Sequence, residues 1–361
     1  MINLPLQISS GFTYFLYIVL AIFIFGLLIL IHECGHYIAA RIFRVTIKEF
    51  SIGMGPKLLS YTSKKNNIAY SLRAFPIGGF VSMAGEDEDV EDPNALNKKK
   101  PWKRLIIMLA GPGMNILLGV LAMTILVSTP SFVIGGTTVA LTETEDHPGY
   151  VQIQSDELLV GDKIIKVGKT RVHYLQELSY EIMNQGYEPT DLTVVRNGQK
   201  IVLKSVVFPV VEDSGTSFGD MFFKVDAIKK NVFTVLSYSL FSSFSTIKMI
   251  WDSLISLITG RIGLGSLSGP VGVTKAVADS ARYGISNLVY VSIFITMNLG
   301  VFNLLPIPAL DGSRIMFILI EMVRGKPINP KYEGYIHFAG IIILIALMIA
   351  VTLKDIISLI T

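Results

Sequence analysis

Four stretches of the chain are apolar over about the length that a bilayer requires, and they limit the fold more than any other feature. A hydrocarbon core of ~30 Å takes about 20 residues of helix. The stretches run roughly from 12 to 40, 105 to 128, 284 to 310 and 334 to 353. Because 51% of the 361 residues are hydrophobic and only 16% are charged, the composition is unlike that of a soluble protein. The sequence therefore predicts an α-helical polytopic membrane protein with about four transmembrane helices.

The distribution of basic residues predicts the orientation. Twelve Lys and Arg residues lie between residues 41 and 104, whereas residues 1 to 13 contain neither. Basic loops tend to stay in the cytoplasm, so we expect the amino terminus and the segment between the second and third spans to be extracytoplasmic. Without a basic leader, the first stretch is expected to be a retained span and not a signal peptide. A net charge of +3 and the lack of a basic run interleaved with aromatics argue against nucleic acid.

A polar interval from about 130 to 230 separates the second and third spans. Short β-like runs such as DLTVVRN, divided by Gly, Asn and Pro, indicate a small β-rich domain. The segment LLVGDKIIKVGKTRV resembles the Gly-Asp strand-and-turn signature of PDZ domains; an unrelated β-rich domain is the alternative. The predicted domains are a first part of the membrane domain at 1–128, a PDZ-like α+β domain at 129–210, a linker with an interfacial amphipathic helix at 211–283, and a second membrane part at 284–361.

The first apolar stretch contains the sequence HECGH. His32 and His36 are one helical turn apart, so both imidazoles can reach one ion, and Glu33 lies beside them. Catalytic zinc takes three protein ligands and leaves one position for water, whose proton Glu33 could accept. The alternative is that these groups are satisfied within the helix bundle. The zinc site is favoured, because ionisable groups inside a span are costly.

A third ligand is expected from NLLPIPALDG. Its two prolines cannot continue a helix, so the chain must unwind there, and Asp311 follows at once. His147 and His173 belong to the external domain, and His337 stands alone at the start of the fourth stretch, where a histidine is unremarkable. The alternative role of Asp311 is to cap the helix that begins at GSRIMFILIEMV.

The alternation of spans tests this pairing. With four spans, the first and the third both run inward and bring HECGH and Asp311 to the cytoplasmic end. If residues 232–258 also crossed, Asp311 would lie about one bilayer thickness away. Five serines between 237 and 245 also favour a helix in the interface.

Four motifs together resemble those of the site-2 protease family of intramembrane zinc metalloproteases. They are HECGH, AGPGMN, LSGPVG and NLLPIPALDG, in this order and with a PDZ-like insertion. The closest resemblance is to the bacterial regulated-intramembrane-proteolysis type with a single PDZ domain. The resemblance covers nearly the whole chain and implies one catalytic Zn²⁺ held by His32, His36 and Asp311, with Glu33 as general base.

The resemblance also implies a location and a substrate class. The location is the bacterial cytoplasmic membrane, where the active site lies within the bilayer near its cytoplasmic face. The substrates are single-span transmembrane proteins, such as anti-sigma factors or signal-peptide remnants, that have already received an extracytoplasmic cut. Membrane lipid surrounds the spans, and the PDZ-like domain is expected to contact a peptide or the substrate.

A transmembrane substrate must unwind before hydrolysis, and its freed backbone then needs partners. Residues 68 to 86 alternate like a β-hairpin with a bend at Gly78 and Gly79, and an exposed edge there could take the substrate as an added strand. An ordinary cytoplasmic hairpin is the alternative. Three amides within the spans could hold the substrate backbone or polarise its carbonyl: Asn115, Asn298 and Asn303. Asn115 could equally join helices, since AGPG permits close approach.

Two other function classes are the alternatives to a protease. A zinc transporter needs a polar pathway through several helices, whereas the ionisable residues here converge near one end. A membrane-anchored PDZ scaffold would leave HECGH and the LDG motif unexplained. The sequence therefore predicts a zinc metalloendopeptidase of the site-2 protease type.

Overall fold

The computed structural model describes residues 10–86, 90–142, 158–213, 216–261, 263, 265 and 267–360. The chain divides into two compact units. We call them the membrane unit, Met1–Gly119 with Leu267–Thr361, and the sheet unit, Val120–Ser266. His147 and part of the predicted domain at 129–210 lie outside the described residues.

The described secondary structure comprises eight α-helices and ten strands. The helices are α1 Ser10–Ile42, α2 Pro101–Ser128, α3 Leu175–Gln185, α4 Val232–Ile258, α5 Pro270–Arg282, α6 Ile285–Leu304, α7 Asp311–Arg324 and α8 Pro330–Ile360. The strands are β1 Ile47–Thr62, β2 Ala69–Met83, β3 Ile134–Thr142, β4 Lys163–Val167, β5 Thr170–Arg171, β6 Thr190–Arg196, β7 Gln199–Val206, β8 Val210–Asp213, β9 Thr216–Gly219 and β10 Phe223–Ile228.

Four of the described helices are long and apolar enough to cross a membrane: Phe15–Ile42, Pro101–Ser128, Ile285–Leu304 and Lys331–Ile357. These correspond to the four predicted stretches, which confirms an integral membrane protein. The third helix ends at Leu304 and not near 310, because Leu305 turns to an extended conformation ahead of the two prolines. The helix α4 is not among the four.

The strands β1 and β2 form a sheet in the membrane unit, and its chain reversals include the one that the sequence predicted. The chain reverses between β1 and β2, at residues 63–68, where Asn67 adopts a left-handed φ of 55°. Gly78 and Gly79 lie where β2 reverses. Residues 69–72 pair with residues 49–52 in the parallel sense, and residues 79–82 pair with them in the antiparallel sense, so the predicted bend is confirmed. Gly78 has a left-handed φ of 89° there. The two arms are not direct partners as in a simple hairpin, because residues 47–52 lie between them.

The first half of β1 is a central segment of this sheet. Phe50 pairs with Val81 on one side and with Tyr70 on the other, and Ser51 pairs with Phe80 and Ser71. The segment from Gly79 to Met83 is therefore an edge of the sheet.

Two apolar clusters hold the membrane unit together, and α1 contributes to both. One joins α1 to the β-sheet, α2 and α7, and includes Ala40, Val81, Ile107 and Ile318. The other packs Ala21 and Leu28 of α1 against α5 and α6. The backbones of α1 and α2 approach closely, since a Cβ at Gly35 would lie 2.2 Å from the carbonyl oxygen of Ala110. This contact fixes the helix that carries HECGH against the helix that carries AGPGMN.

The sheet unit is built on an antiparallel sheet in the order β10-β3-β4-β6-β7, with β5 beside β4. Its apolar core includes Ile164, Leu178, Leu192 and Val194. The sheet extends past the predicted boundary at residue 210, because β10 pairs with β3. The segment FKVDAI alternates apolar and polar residues, and this alternation is the sequence signal that could have placed the strand.

The helix α4 buries its serines and exposes its apolar side chains. Ser239, Ser242, Ser243 and Ser245 are buried, whereas Phe233, Leu240, Phe244 and Ile258 are exposed. Its polar contacts reach α3, where the hydroxyl of Tyr180 donates to Asp252 across 2.8 Å. An interfacial position for α4 stays a prediction.

Candidate metal centre

HECGH lies near the carboxyl end of α1, and Asp311 is the first residue of α7. Nε2 of His32 lies 3.0 Å from Oδ2 of Asp311, and Nε2 of His36 lies 3.3 Å from the same oxygen. The two Nε2 atoms are 3.2 Å apart. Both imidazoles are buried, and the three residues form a group that could hold a metal ion.

The protonation of His36 follows from its hydrogen bond to α2. Nδ1 of His36 lies 2.8 Å from the carbonyl oxygen of Ile107. A carbonyl can only accept, so Nδ1 carries the proton and Nε2 of the neutral ring presents a lone pair. Only a doubly protonated ring could also donate to Asp311. Metal-binding histidines are typically held in this way, by a second hydrogen bond from the other ring nitrogen.

His32 has a side-chain partner on α2, the helix that also hydrogen-bonds to His36. Nδ1 of His32 lies 3.4 Å from the amide nitrogen of Asn115, and the amide oxygen of Asn115 has no hydrogen-bond partner among the described residues. If this amide is rotated by half a turn, its oxygen accepts the Nδ1 proton of His32. Nε2 of His32 is then unprotonated as well.

Three electron pairs therefore converge in a buried site. Without a cation, the two Nε2 atoms and the carboxylate oxygen would repel one another at 3.0–3.3 Å. Zinc binds nitrogen and oxygen ligands at 2.0–2.2 Å, so neighbouring ligands of a tetrahedral ion are about 3.3 Å apart. The donor set and its spacing fit zinc with one position left for another ligand.

The sequence AGPGMN makes room for this site. A Cβ at Gly111 of α2 would lie 2.2 Å from Nε2 of His36 and 2.8 Å from Nε2 of His32. Any side chain here would therefore occupy the space between the imidazoles and α2. The absence of a Cβ lets the backbone of α2 pass directly over the two rings.

Asp311 does not cap its helix. The cap position of α7 is Leu310, and no side-chain hydrogen bond caps this end of the helix. The alternative role that the sequence left open is therefore not found. The carboxylate faces the two histidines instead.

Glu33 lies between the two histidines and the β-sheet. Its carboxylate accepts a hydrogen bond from the backbone N–H of Val81 in β2, and a Cβ at Gly79 would lie 3.4 Å from Cγ of Glu33. Glu33, His32 and Asp311 line one cavity of about 210 Å³, together with Ile29, Asn115, Leu299, Asn303, Ala309 and Leu310. The site therefore combines a metal-binding donor set, a carboxylate and a space for a reacting group.

Comparisons with known proteins decide the family. A family model described as peptidase family M50 matches residues 20–347. The chain belongs to peptidase family M50. A *Clostridium acetobutylicum* protein named as a zinc metalloprotease is 34% identical over 344 residues, which cover 95% of this chain and 98% of that relative. The regulator of sigma-W protease RasP of Bacillus subtilis is 28% identical over 93% of this chain and 97% of that relative.

These findings confirm three predictions from the sequence: the site-2 protease family, the class of zinc metalloprotease and the zinc cofactor. A third relative, zinc metalloprotease RasP of Oceanobacillus iheyensis, is 28% identical and covers 94% of this chain and 98% of its own length. The M50 protease is thus an integral membrane enzyme that uses zinc.

Some of the remaining predicted residues lie at the cavity and others do not. Asn115 and Asn303 line the cavity of the M50 protease, and Gly79 lies beside Glu33. Gly78 packs against Met54 instead. Asn298 does not line the cavity, and its amide oxygen is buried without a hydrogen-bond partner among the described residues.

Sequence reasoning missed the groups that hold the site in place. The carbonyl of Ile107 and the glycine at 111 had no role assigned, and His337 was set aside although its Nδ1 accepts a hydrogen bond from Ala309. The motif AGPGMN was the available signal for α2. No periodicity in the sequence pairs His337 with a loop 28 residues away.

Proposed function

We propose that this M50 protease hydrolyses a peptide bond in or near the transmembrane segment of single-span membrane proteins. His32, His36 and Asp311 would hold the catalytic zinc, and Glu33 would act as general base. The observation that carries the proposal is that Nε2 of His32, Nε2 of His36 and Oδ2 of Asp311 lie within 3.3 Å of one another near the end of an apolar helix. A purely structural role would leave this buried repulsion without compensation.

Each residue has a distinct task in this mechanism. Zinc, when bound, supplies the Lewis acidity that makes water a competent nucleophile near neutral pH. Glu33 takes a proton from the attacking water and passes it to the leaving amine nitrogen. Asn115 orients His32, and Asn303 lines the cavity where its amide can donate to the scissile carbonyl oxygen.

The edge of the β-sheet is the proposed docking site for unwound substrate. The segment from Gly79 to Met83 is an edge of the β1–β2 sheet, and Val81 within it contacts Glu33. A substrate strand added at this edge gains partners for its freed backbone and lies next to the general base. A Cβ at Gly79 would lie 2.9 Å from the carbonyl oxygen of Ser51, so the small residue lets this edge pair closely with residues 47–52 beside Glu33.

The proposed orientation places the amino terminus and the sheet unit outside the cytoplasm of a bacterial cell. The basic segment between α1 and α2 supports this orientation. We propose that residues 129–210 of the sheet unit form a PDZ-like domain that contacts a peptide or the substrate, and that the exposed apolar face of α4 lies on lipid. The name of the *Bacillus subtilis* relative, a regulator of sigma-W, supports anti-sigma factors as the substrate class, cleaved after a prior extracytoplasmic cut.

Two experiments test the proposal. Glu33→Gln should retain zinc but lower the cleavage rate of a single-span test substrate about a thousandfold, whereas Cys34→Ala, the neighbouring control, should keep both. Glu33→Gln with full activity would exclude Glu33 as the base. For the orientation, a cysteine placed at Lys65 in the Cys34→Ala background should react only with cytoplasmic reagents, and one placed at Asp191 only with external ones.

A further inference from the structure

A hydrogen bond joins α8 to the loop that precedes Asp311. Nδ1 of His337 accepts a hydrogen bond from the backbone N–H of Ala309 across 3.1 Å, two residues before Asp311. We propose that His337 is a positioning residue for the metal centre, because it fixes the loop conformation that presents Asp311 to the two histidines. The inference rests on the proposed function, since it takes Asp311 to be a zinc ligand.

Ala309 is the point at which this loop needs support. Its φ of 76° lies in the left-handed region, which residues with a Cβ rarely adopt. Such a conformation persists only where the surrounding structure enforces it. The neighbouring N–H groups of Ile307 and Leu310 bond within the loop, to Leu305 and Ile307. The N–H of Ala309 bonds to His337 instead, so removal of this acceptor frees the strained residue to relax.

The imidazole of His337 is itself held in place. Its side chain is 17% exposed, and the ring packs edge-on against Phe317 of α7 with centroids 5.9 Å apart. A neutral ring that accepts through Nδ1 carries its proton on Nε2. The carboxylate of Glu333, one turn earlier on α8, lies 3.9 Å from that nitrogen and therefore favours this tautomer.

A second contact from the same face of α8 reaches the loop. A Cβ at Gly340 would lie 2.2 Å from Cβ of Pro308, so the helix backbone lies directly against the residue before Ala309. Positions three apart share a helix face. Through His337 and Gly340, α8 thus contacts the loop at two consecutive residues, Ala309 and Pro308.

The test compares two substitutions in the full-length protein in detergent. His337→Phe keeps a ring against Phe317 but has no acceptor, whereas His337→Asn places an oxygen close to the position of Nδ1. We expect His337→Phe to weaken zinc affinity about tenfold, as is typical for residues that orient metal ligands, and His337→Asn to restore most of it. Zinc affinity is measured by competition with a chromophoric chelator. The exposed neighbour variant Phe338→Leu is the control and should bind zinc normally.

The thermal midpoint of the zinc-free protein distinguishes positioning from general stability, and should be the same in both His337 variants. Unchanged zinc affinity in His337→Phe, or an equal loss in His337→Asn, would overturn the inference. Asp311→Ala, measured in parallel, separates this result from the proposed function. If Asp311→Ala loses zinc while His337→Phe binds it normally, only the positioning role fails; if Asp311→Ala keeps its zinc, the proposed ligand set fails as well.

Discussion

Nη1 of Arg314 lies 2.6 Å from Oε1 of Glu86, and this ion pair joins α7 to the end of β2. Arg314 follows Asp311 by three residues on α7. The other carboxylate oxygen of Glu86 accepts a hydrogen bond from the backbone N–H of Met83, at the end of β2. The helix that begins with Asp311 is therefore tied to the strand that contacts Glu33.

Breaking this pair should impair catalysis without removing zinc. Arg314→Met leaves Glu86 without its cation and loosens β2 relative to Asp311. A loss of about 1–2 kcal/mol of transition-state stabilisation corresponds to a roughly tenfold lower kcat/KM. The exposed Arg324→Met on the same helix is the control. Steady-state cleavage with metal analysis checks the prediction; an equal effect of both variants, or zinc loss in Arg314→Met, would contradict it.

A buried carboxylate, Asp162, forms an ion pair within the sheet unit. Asp162 is 1% exposed and accepts two hydrogen bonds from Arg196 of β6, at 2.7 and 2.8 Å. Asp162→Asn removes the negative charge that pairs with Arg196 and should destabilise this unit by about 3 kcal/mol. Hydrogen exchange of the amides in β4 and β6 measures the loss. The exposed Asp226→Asn is the control, and equal exchange in the two variants would contradict the prediction.

The β1–β2 sheet should weaken in acid through Glu49. Burial raises the pKa of Glu49, but hydrogen bonds from Ser71, Lys57 and Arg73 lower it by more. The pKa of Glu49 is therefore about 2, below the ordinary value of 4.5. A carboxyl with a lowered pKa stabilises the fold fully above 4.5, and this contribution is lost as the pH falls toward 2.

Glu49→Gln should therefore lower the exchange protection of β1 and β2 at pH 7, and the difference from the unsubstituted protein should shrink at pH 3. The exposed Glu91→Gln is the control. If the difference in exchange protection between Glu49→Gln and the unsubstituted protein is the same at pH 7 and pH 3, the charge of the Glu49 carboxylate does not stabilise the sheet.

The sequence predicted the three residues that meet at the metal centre from two simple features. The spacing within HECGH is local, and the number of spans between HECGH and Asp311 can be counted from hydropathy. HECGH needs only one helical turn, and the prolines before Asp311 force the unwinding that the structure shows after Leu304. Contacts between distant backbone groups leave no such pattern. The acceptor of His36 is a carbonyl 71 residues away, and the sheet edge beside Glu33 depends on pairing between residues 47–52 and 79–83.

The sheet unit is expected to act as a filter for substrate and not as part of the catalytic machine. In the proposed orientation it lies outside, whereas the zinc ligands lie toward the cytoplasmic end of the spans. Replacing residues 132 to 229, which include strands β3–β10, with a flexible linker should preserve zinc binding and cleavage of a trimmed substrate, and should also allow cleavage of an untrimmed one. Loss of trimmed-substrate cleavage in a zinc-loaded deletion would instead make the unit a required docking element.

The most direct test of the account is zinc X-ray absorption on the purified full-length protein. The convergence of His32, His36 and Asp311 predicts a shell of nitrogen and oxygen atoms only, at about 2.0–2.2 Å, with the scattering pattern of two imidazoles. Asp311→Ala should then lose zinc. Two results would contradict the proposed centre. One is a sulfur atom at about 2.3 Å from zinc, which Cys34, the single cysteine of this chain, could supply; the other is a shell with a single imidazole.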